Sequence, residues 1–420
     1  MNFLSKPVLR VLILIMVIGV LPLQSLFSQS FINQQTQIDD KYVESGVVSM
    51  AGKKGFSFST QAGDFLFKPY GLVQTFVKFN YYDDEGIDLA DQDRVANSGF
   101  EVGNAILGFS GKAFDIVTFN LALNAAKSGG NLLQQAWFDI NMKKQLRVRV
   151  GKFKTPYAQA YLVTLGETLF PVLPTSLTTP VNIHESLNSV NPVFATGFDL
   201  GVQLHGLLND KWEYKAGIFN GTGADVNTAK NTMSDDLKIP SLLYAGRLAF
   251  MPKGEMPLHQ GDPDNLNNDK IMLAASVSYN VEANWESSND FRTGFEFAWL
   301  KNRWYLGAEA YYMNMDFTKR QRNAGAYSFW GGYIQSGYFV SPKLQPVIRL
   351  DVMDRNSVDE DGILNFPAIG LNWYAFKSNL KLQSMYQYTG RYDHLTQDAR
   401  DRDDLGLAMH SVVVMMQFSF

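Results

Sequence analysis

Residues 147 to 154 read Arg147-Val148-Arg149-Val150-Gly151-Lys152-Phe153-Lys154. Side chains two positions apart share one face of an extended strand, so Arg147 and Arg149 present two guanidinium groups side by side. Each fork can donate two parallel hydrogen bonds to the oxygens of a carboxylate or phosphate, which a point-like ammonium cannot do. The same alternation places Lys78, Lys215, Arg247, Arg349 and Lys381 on the polar faces of other segments, and Lys152 and Lys154 stand at the root of the stretch that follows. Facing them are Asp139, Glu213, Glu296, Glu309 and Asp351. The basic excess on these faces is small, and cross-strand pairing that braces a wall is the competing role for any one of them.

Other chemistries find little support. The histidines His184, His205, His259, His394 and His410 show no metal-ligand spacing, and the chain has no cysteine, so no metal or cofactor is implied. There is no Gly-x-Ser-x-Gly elbow and no phosphate-cradling glycine loop followed by Lys and Ser or Thr. The acidic stretch from Asp262 to Asp269 departs from the calcium-loop order and reads as a turn. A hydrolase would need His205 or His410 beside an outward-facing serine such as Ser411, and no spacing favours that arrangement. Lys and Arg total 37 against 41 Asp and Glu, so no basic excess exists to neutralise nucleic-acid phosphates.

The elements that would position the basic residues are strands. Lys6 and Arg10 precede an apolar run from Val11 to Leu21 that stops at Pro22, and small residues follow at Ser25 to Ser30. That is the layout of an export signal, 1–28, cut between 25 and 30, and it is too short to span a bilayer as a helix. No later window holds 18 consecutive apolar residues, so a membrane crossing would require a closed barrel. Alternation of apolar and polar residues recurs, as in Leu146-Arg147-Val148-Arg149-Val150, Ile348-Arg349-Leu350-Asp351-Val352 and Phe295-Glu296-Phe297. Turn signals divide the chain into about sixteen strands, from 65–82 through 145–153, 269–280 and 363–376 to 407–420. Most are longer than the strands of soluble sheets and long enough to cross a bilayer at a tilt.

The connections fall into two classes. One side has tight turns such as Asn209-Asp210 and Lys377-Ser378, and the other has long loops at 83–97, 154–196, 220–240, 281–289, 354–362 and 391–406. An even strand count with this asymmetry predicts an all-β transmembrane antiparallel barrel, with short periplasmic turns and long extracellular loops. Two joints depart from the scheme, a long one at 252–268 and a short one at 128–130. A periplasmic segment is expected over 29–64 and the barrel over 65–420. The 154–196 segment carries Pro156, Pro171, Pro174, Pro180 and Pro192 and reads as a folded insertion. Aromatic clusters such as Trp304-Tyr305 and Trp373-Tyr374 sit near strand ends, where interfacial girdles would be. The acidic runs Asp359-Glu360-Asp361 and Asp393 to Asp404 read as a solvated rim or as cation bridges to lipid phosphates. Lys319, Arg320 and Arg322 are candidates to meet lipopolysaccharide.

Several stretches together resemble the phosphate-selective porin O and P family of Gram-negative outer membranes. They are Phe67-Lys68-Pro69-Tyr70-Gly71, Leu107-Gly108-Phe109-Ser110-Gly111, Arg147 to Tyr157, Tyr214 to Gly221, Gly370-Leu371-Asn372-Trp373-Tyr374 and the closing Gln417-Phe418-Ser419-Phe420. The resemblance spans nearly the whole chain after the export segment. It implies a sixteen-stranded barrel, a homotrimer, and a constricted pore for small anions such as phosphate, narrowed by the 154–196 segment folding inward. A general diffusion pore or a structural or hydrolytic barrel is the alternative. Phe420 resembles the terminal aromatic read by the barrel-assembly machinery. Where the family commonly carries a pair of arginines before the Ala-Ile-Leu-Gly-Phe stretch, this chain has Gly103-Asn104.

Overall fold

The segment Leu344–Asp354 shows how side chains sort. Gln345, Val347, Arg349, Asp351 and Met353 are buried, whereas Ile348 and Leu350 on the opposite face are 51 % and 57 % exposed. In Asn289–Lys301, Arg292 and Glu296 are buried while Phe295 is 67 % exposed. Charged groups inside and large apolar groups outside invert the pattern of a water-soluble sheet, and a continuous apolar exterior of this kind fits lipid.

The computed structural model describes residues 47–52, 55–82, 98–179, 181, 193–223, 226–229, 241–281, 289–316, 326–354, 363–390 and 409–420. The expected export segment, the acidic runs 359–361 and 393–404, the basic run 319–322 and the pair His184 and Glu185 lie outside the described residues. Within the expected periplasmic segment, β1 (Val47–Gly52) and β2 (Gly55–Thr60) form a hairpin.

The barrel then runs through β3 (Leu66–Tyr82), β4 (Gly99–Ala113), β5 (Val117–Asn124), β6 (Leu133–Lys143), β7 (Leu146–Lys154), β8 (Phe198–Leu208) and β9 (Trp212–Phe219). It continues with β10 (Leu243–Phe250), β11 (Asp269–Asn280), β12 (Asn289–Lys301), β13 (Trp304–Asp316), β14 (Ala326–Tyr338) and β15 (Leu344–Asp354). The last strands are β16 (Ile363–Asn365) with β17 (Ala368–Ser378), then β18 (Leu380–Thr389) and β19 (Met409–Ser419). Consecutive strands pair antiparallel, and β19 pairs β3 from Ser419↔Leu72 to Met409↔Tyr82, which closes the sheet. β16 and β17 both pair β15 and act as one crossing, so the barrel has 16 strands. The interruption falls at Phe366-Pro367, because proline has no N–H to donate to the ladder.

Three of the tight turns share one chemistry. Phe114 and Asp115, Asn209 and Asp210, and Asn302 and Arg303 are consecutive pairs with positive φ. Two residues of that hand match the twist of the flanking strands. The connection 251–268, on the same end, is long, and it folds back into the barrel, burying Met251, Met256, Gln260 and Asp262. Two glycines serve close approach. The Phe420 ring lies where a Cβ on Gly71 would be, 2.4 Å from that position. Gly103 is the extra residue of a bulge opposite Gln74 and Thr75, with the Phe76 ring 2.4 Å from its would-be Cβ.

Candidate functional site: the occupied lumen

The segment between β7 and β8 enters the barrel. Its base is closed by Thr155 N–H donating to Gly197 O at 3.0 Å and by contact between the Thr155 and Thr196 hydroxyls. Short helical turns at Gln159–Leu162 and Thr175–Thr178 are joined by stretches that Pro171 and Pro174 hold extended. Tyr157, Ala160, Leu177 and Phe194 pack on Tyr311, Met313, Phe329 and Met353 of β13 to β15. Leu169 and Phe170 join a second cluster with Met272, Ala298 and Tyr305. The segment therefore has its own apolar core against one half of the wall.

Its backbone polar groups, taken out of water, are met by wall side chains. The Asp351 carboxylate accepts from Thr175 N–H at 2.5 Å and Ser176 N–H at 3.3 Å. Glu309 accepts from Ala160 N–H at 2.6 Å and from the Tyr311 and Tyr333 hydroxyls. Arg292 donates to Phe194 O and Ala195 O, and Arg349 to Val172 O.

The carbonyls of 165–169 meet a belt of amides that crosses seven neighbouring crossings. Asn124 donates to Asn104, Asn104 to Gln74 and Gln74 to Gln417, and Gln74 and Gln417 also donate to Leu165 O and Gly166 O. Beyond them Gln383 donates to Asn372 and Asn372 to Gln345, with Thr168 O and Leu169 O as further acceptors. From the other end of the lumen Gln260 seals the same stretch: its N–H donates to Glu167 O and its Oε1 accepts from Leu169 N–H, each at 2.8 Å. Leaving one such buried group unpaired costs about 1–3 kcal/mol, so the belt fixes where the segment lies.

The opposite half of the lumen holds a cavity of about 510 Å³. Its wall is formed by β3 to β9, with Tyr70, Asn120, Gln135, Trp137, Arg149, Gln203 and Lys215 among the lining groups. Its inner face is Lys154, Leu162, Leu165 and Glu167 of the inserted segment, with Leu258 of the 251–268 connection. Arg149 donates through Nε at 3.1 Å and Nη2 at 2.6 Å to Asp139, which His205 Nε2 also meets at 2.9 Å. The Arg149 guanidinium lies 3.9 Å from the Trp137 ring centroid. Lys215 pairs with Glu213 at 3.0 Å, and Lys154 donates to Tyr161 O and Val163 O at 2.6 and 2.8 Å.

Of the basic residues singled out in the sequence, Arg149, Lys154 and Lys215 thus line the open cavity. Arg247 is buried between Glu213 and Glu296, and donates to Gln159 of the inserted segment. Arg349 is 1 % exposed, 3.9 Å from Asp351, and Lys381 is buried with its amine on Thr168 O. These three hold the insertion and are covered by it. Lys152 is buried against Gly130 O and Asn227 rather than facing solute. Lys78 pairs with Glu101 at 2.6 Å, and Arg147 is part-exposed at the far end of β7 from the insertion. The amide belt, Trp137 and Gln260 were not anticipated; their signal was polarity at inward positions without charge.

His410 and Ser411 make separate contacts, and Ser411, expected to face outward, lies on the buried face of β19. His410 Nδ1 meets the Tyr386 hydroxyl at 2.7 Å, and the Ser411 hydroxyl donates to Asn80.

A family model described as "Phosphate-selective porin O and P" matches residues 73–420. No curated protein matches the chain. Among solved structures, the anion-selective porin from Comamonas acidovorans is 11 % identical with a TM-score of 0.54, covering 85 % of this chain and 100 % of that one. The outer-membrane channel DcaP of Acinetobacter baumannii is 11 % identical with a TM-score of 0.55, covering 88 % and 100 %. OmpT of Vibrio cholerae in its trimer form is 11 % identical with a TM-score of 0.51, covering 85 % and 99 %. At these identities the likeness is one of fold.

Proposed function

Because the chain belongs to the phosphate-selective porin O and P family and is an outer-membrane porin, we propose that it passes small anions by passive diffusion through the half of the lumen that the insertion leaves open. The observation that carries this reading is the placement of Arg149, Lys154 and Lys215 on the walls of the open cavity, while Arg247, Arg349 and Lys381 are spent on anchoring. In a narrow passage with low-dielectric walls, a few fixed cations raise the local concentration of anions. Arg149 and Lys215 are each paired with a carboxylate, so the preference is modest and phosphate is one of several anions admitted. Channel flux needs no bond-making step.

The trimer form of the Vibrio cholerae outer membrane protein OmpT supports a homotrimer for this chain. Phe420, packed over Gly71 where β19 closes on β3, serves as the terminal residue that the assembly machinery engages, and the 1–28 segment directs export. The test of transport is the swelling of liposomes loaded with impermeant dextran. Liposomes carrying the protein should swell faster than protein-free ones in isosmotic potassium phosphate and potassium chloride, and equal rates would refute the proposal.

A further inference from the structure

The open cavity is not uniformly polar. On its β6 to β9 side stand Gln135, Arg149, Gln203 and Lys215. On the facing side, β3 to β5 contribute Leu72, Ile106 and Ala122 beside Tyr70 and Asn120, and the inner elements contribute Leu162, Leu165 and Leu258 beside Lys154, Thr164 and Glu167. Leu258 is 46 % exposed although it sits inside the barrel on a connection that folds inward to put it there. The leucines clustered on that side do nothing for a hydrated inorganic ion. Such an ion keeps its water only if the walls supply hydrogen-bonding groups on every side, and losing that water against apolar surface is costly. The cations are also partly spent, since Arg149 is bound by Asp139 through two nitrogens and Lys215 shares Glu213 with Arg247. Charge attraction alone therefore holds a bare anion weakly.

From this division we propose that the cavity is a binding subsite for amphipathic organic anions, monocarboxylates carrying an apolar ring or short hydrocarbon body. The carboxylate meets Arg149 and Lys215, and the body lies against Leu162, Leu165 and Leu258. The proposal rests on the porin reading and narrows its solute class. Arg149 Nη1 makes no hydrogen bond to the described residues, and Lys215 uses one of its three N–H donors on Glu213. Both can accept a carboxylate without giving up their wall partners. The cavity volume of about 510 Å³ is within the range of small-molecule sites, and leaves room for water beside a single-ring solute.

The experiment is open-channel block in planar bilayers containing the full-length protein in potassium chloride, with benzoate, acetate, inorganic phosphate and benzyl alcohol each titrated in turn. Benzoate should half-block the chloride current at a concentration roughly tenfold below acetate or phosphate, the factor that burying about 60 Å² of apolar surface provides. Benzyl alcohol should block no better than acetate. Leu258→Asn should shrink the benzoate-to-acetate ratio towards one, and because the ratio is read within a conducting channel it does not depend on folded yield. Equal block by benzoate and acetate would overturn the apolar half of the proposal, and equal block by benzoate and benzyl alcohol would overturn the anionic half. An unchanged ratio in Leu258→Asn would overturn the placement of the body. Absence of chloride current steps altogether would overturn the porin reading beneath it, an outcome distinct from the other three.

Discussion

Asp139 and Arg149 make a matched pair of perturbations with opposite expected signs. In the wild type the guanidinium is bound through Nε and Nη2 by a carboxylate whose side chain is 5 % exposed, against 24 % for Arg149. The pair presents little net charge to a passing ion. Arg149→Gln leaves Asp139 with His205 and adds a net negative charge beside the cavity, while Asp139→Asn leaves the guanidinium uncompensated. An anion hydrogen-bonded at the arginine would lie about 4 Å from either charge, where one unit charge acts with about 1 kcal/mol in water, or about fivefold in occupancy. Screening at ~0.15 M salt, with a Debye length of about 8 Å, reduces this to about threefold. The chloride-to-potassium permeability ratio from reversal potentials should therefore rise about threefold in Asp139→Asn and fall by a similar factor in Arg149→Gln. The contrast should widen at lower salt. Shifts in the same direction, or none in either variant, would refute the assignment of Arg149 to the open wall.

Three further outcomes are expected. Gln417→Leu removes the donor to Gly166 O and the acceptor for Gln74, leaving buried groups unpaired at about 1–3 kcal/mol each, and should appear as increased open-channel noise and faster proteolysis within 155–197. Arg349→Met removes a buried cation from beside Asp351, which keeps its bonds from Thr175 and Ser176. It should lower barrel stability by about 3 kcal/mol, read from urea unfolding in detergent, with reversal potential unmoved because the residue is covered by the insertion. Phe295→Arg places a charge on the outer face midway along β12 and should cost about 2–4 kcal/mol in lipid vesicles; a neutral result would contradict lipid contact at that face.

The barrel was legible because strand parity and turn chemistry are local. Asp269 and Asn280 bound β11 where the turn signals place them, and Arg349, Asp351, Glu296 and Lys381 all lie inside, as alternation requires. The break of the fourteenth crossing at Pro367 was missed, the strand being expected unbroken over 363–376, although a proline within a strand cannot donate to its neighbour. What parity could not supply is which inward residues face solute. That depends on where the insertion lies, and its anchors come from far along the chain: Gln417 on Gly166, Asp351 on Thr175, Asn372 on Leu169. An inward arginine at 349 and an inward arginine at 149 look the same in sequence, yet the insertion covers the first and leaves the second at the cavity. The 251–268 connection was recognisable as too long for a turn, but nothing in its composition showed that Gln260 would close over Glu167 and Leu169.

The barrel is closed and partly filled by its own insertion, and the proposed anion route runs through the cavity left beside it. The reversal potential of single wild-type channels across a tenfold potassium chloride gradient tests it most directly. Discrete current steps with a reversal potential displaced towards the chloride equilibrium value are predicted. Absence of steps, or displacement towards the potassium value, would contradict it.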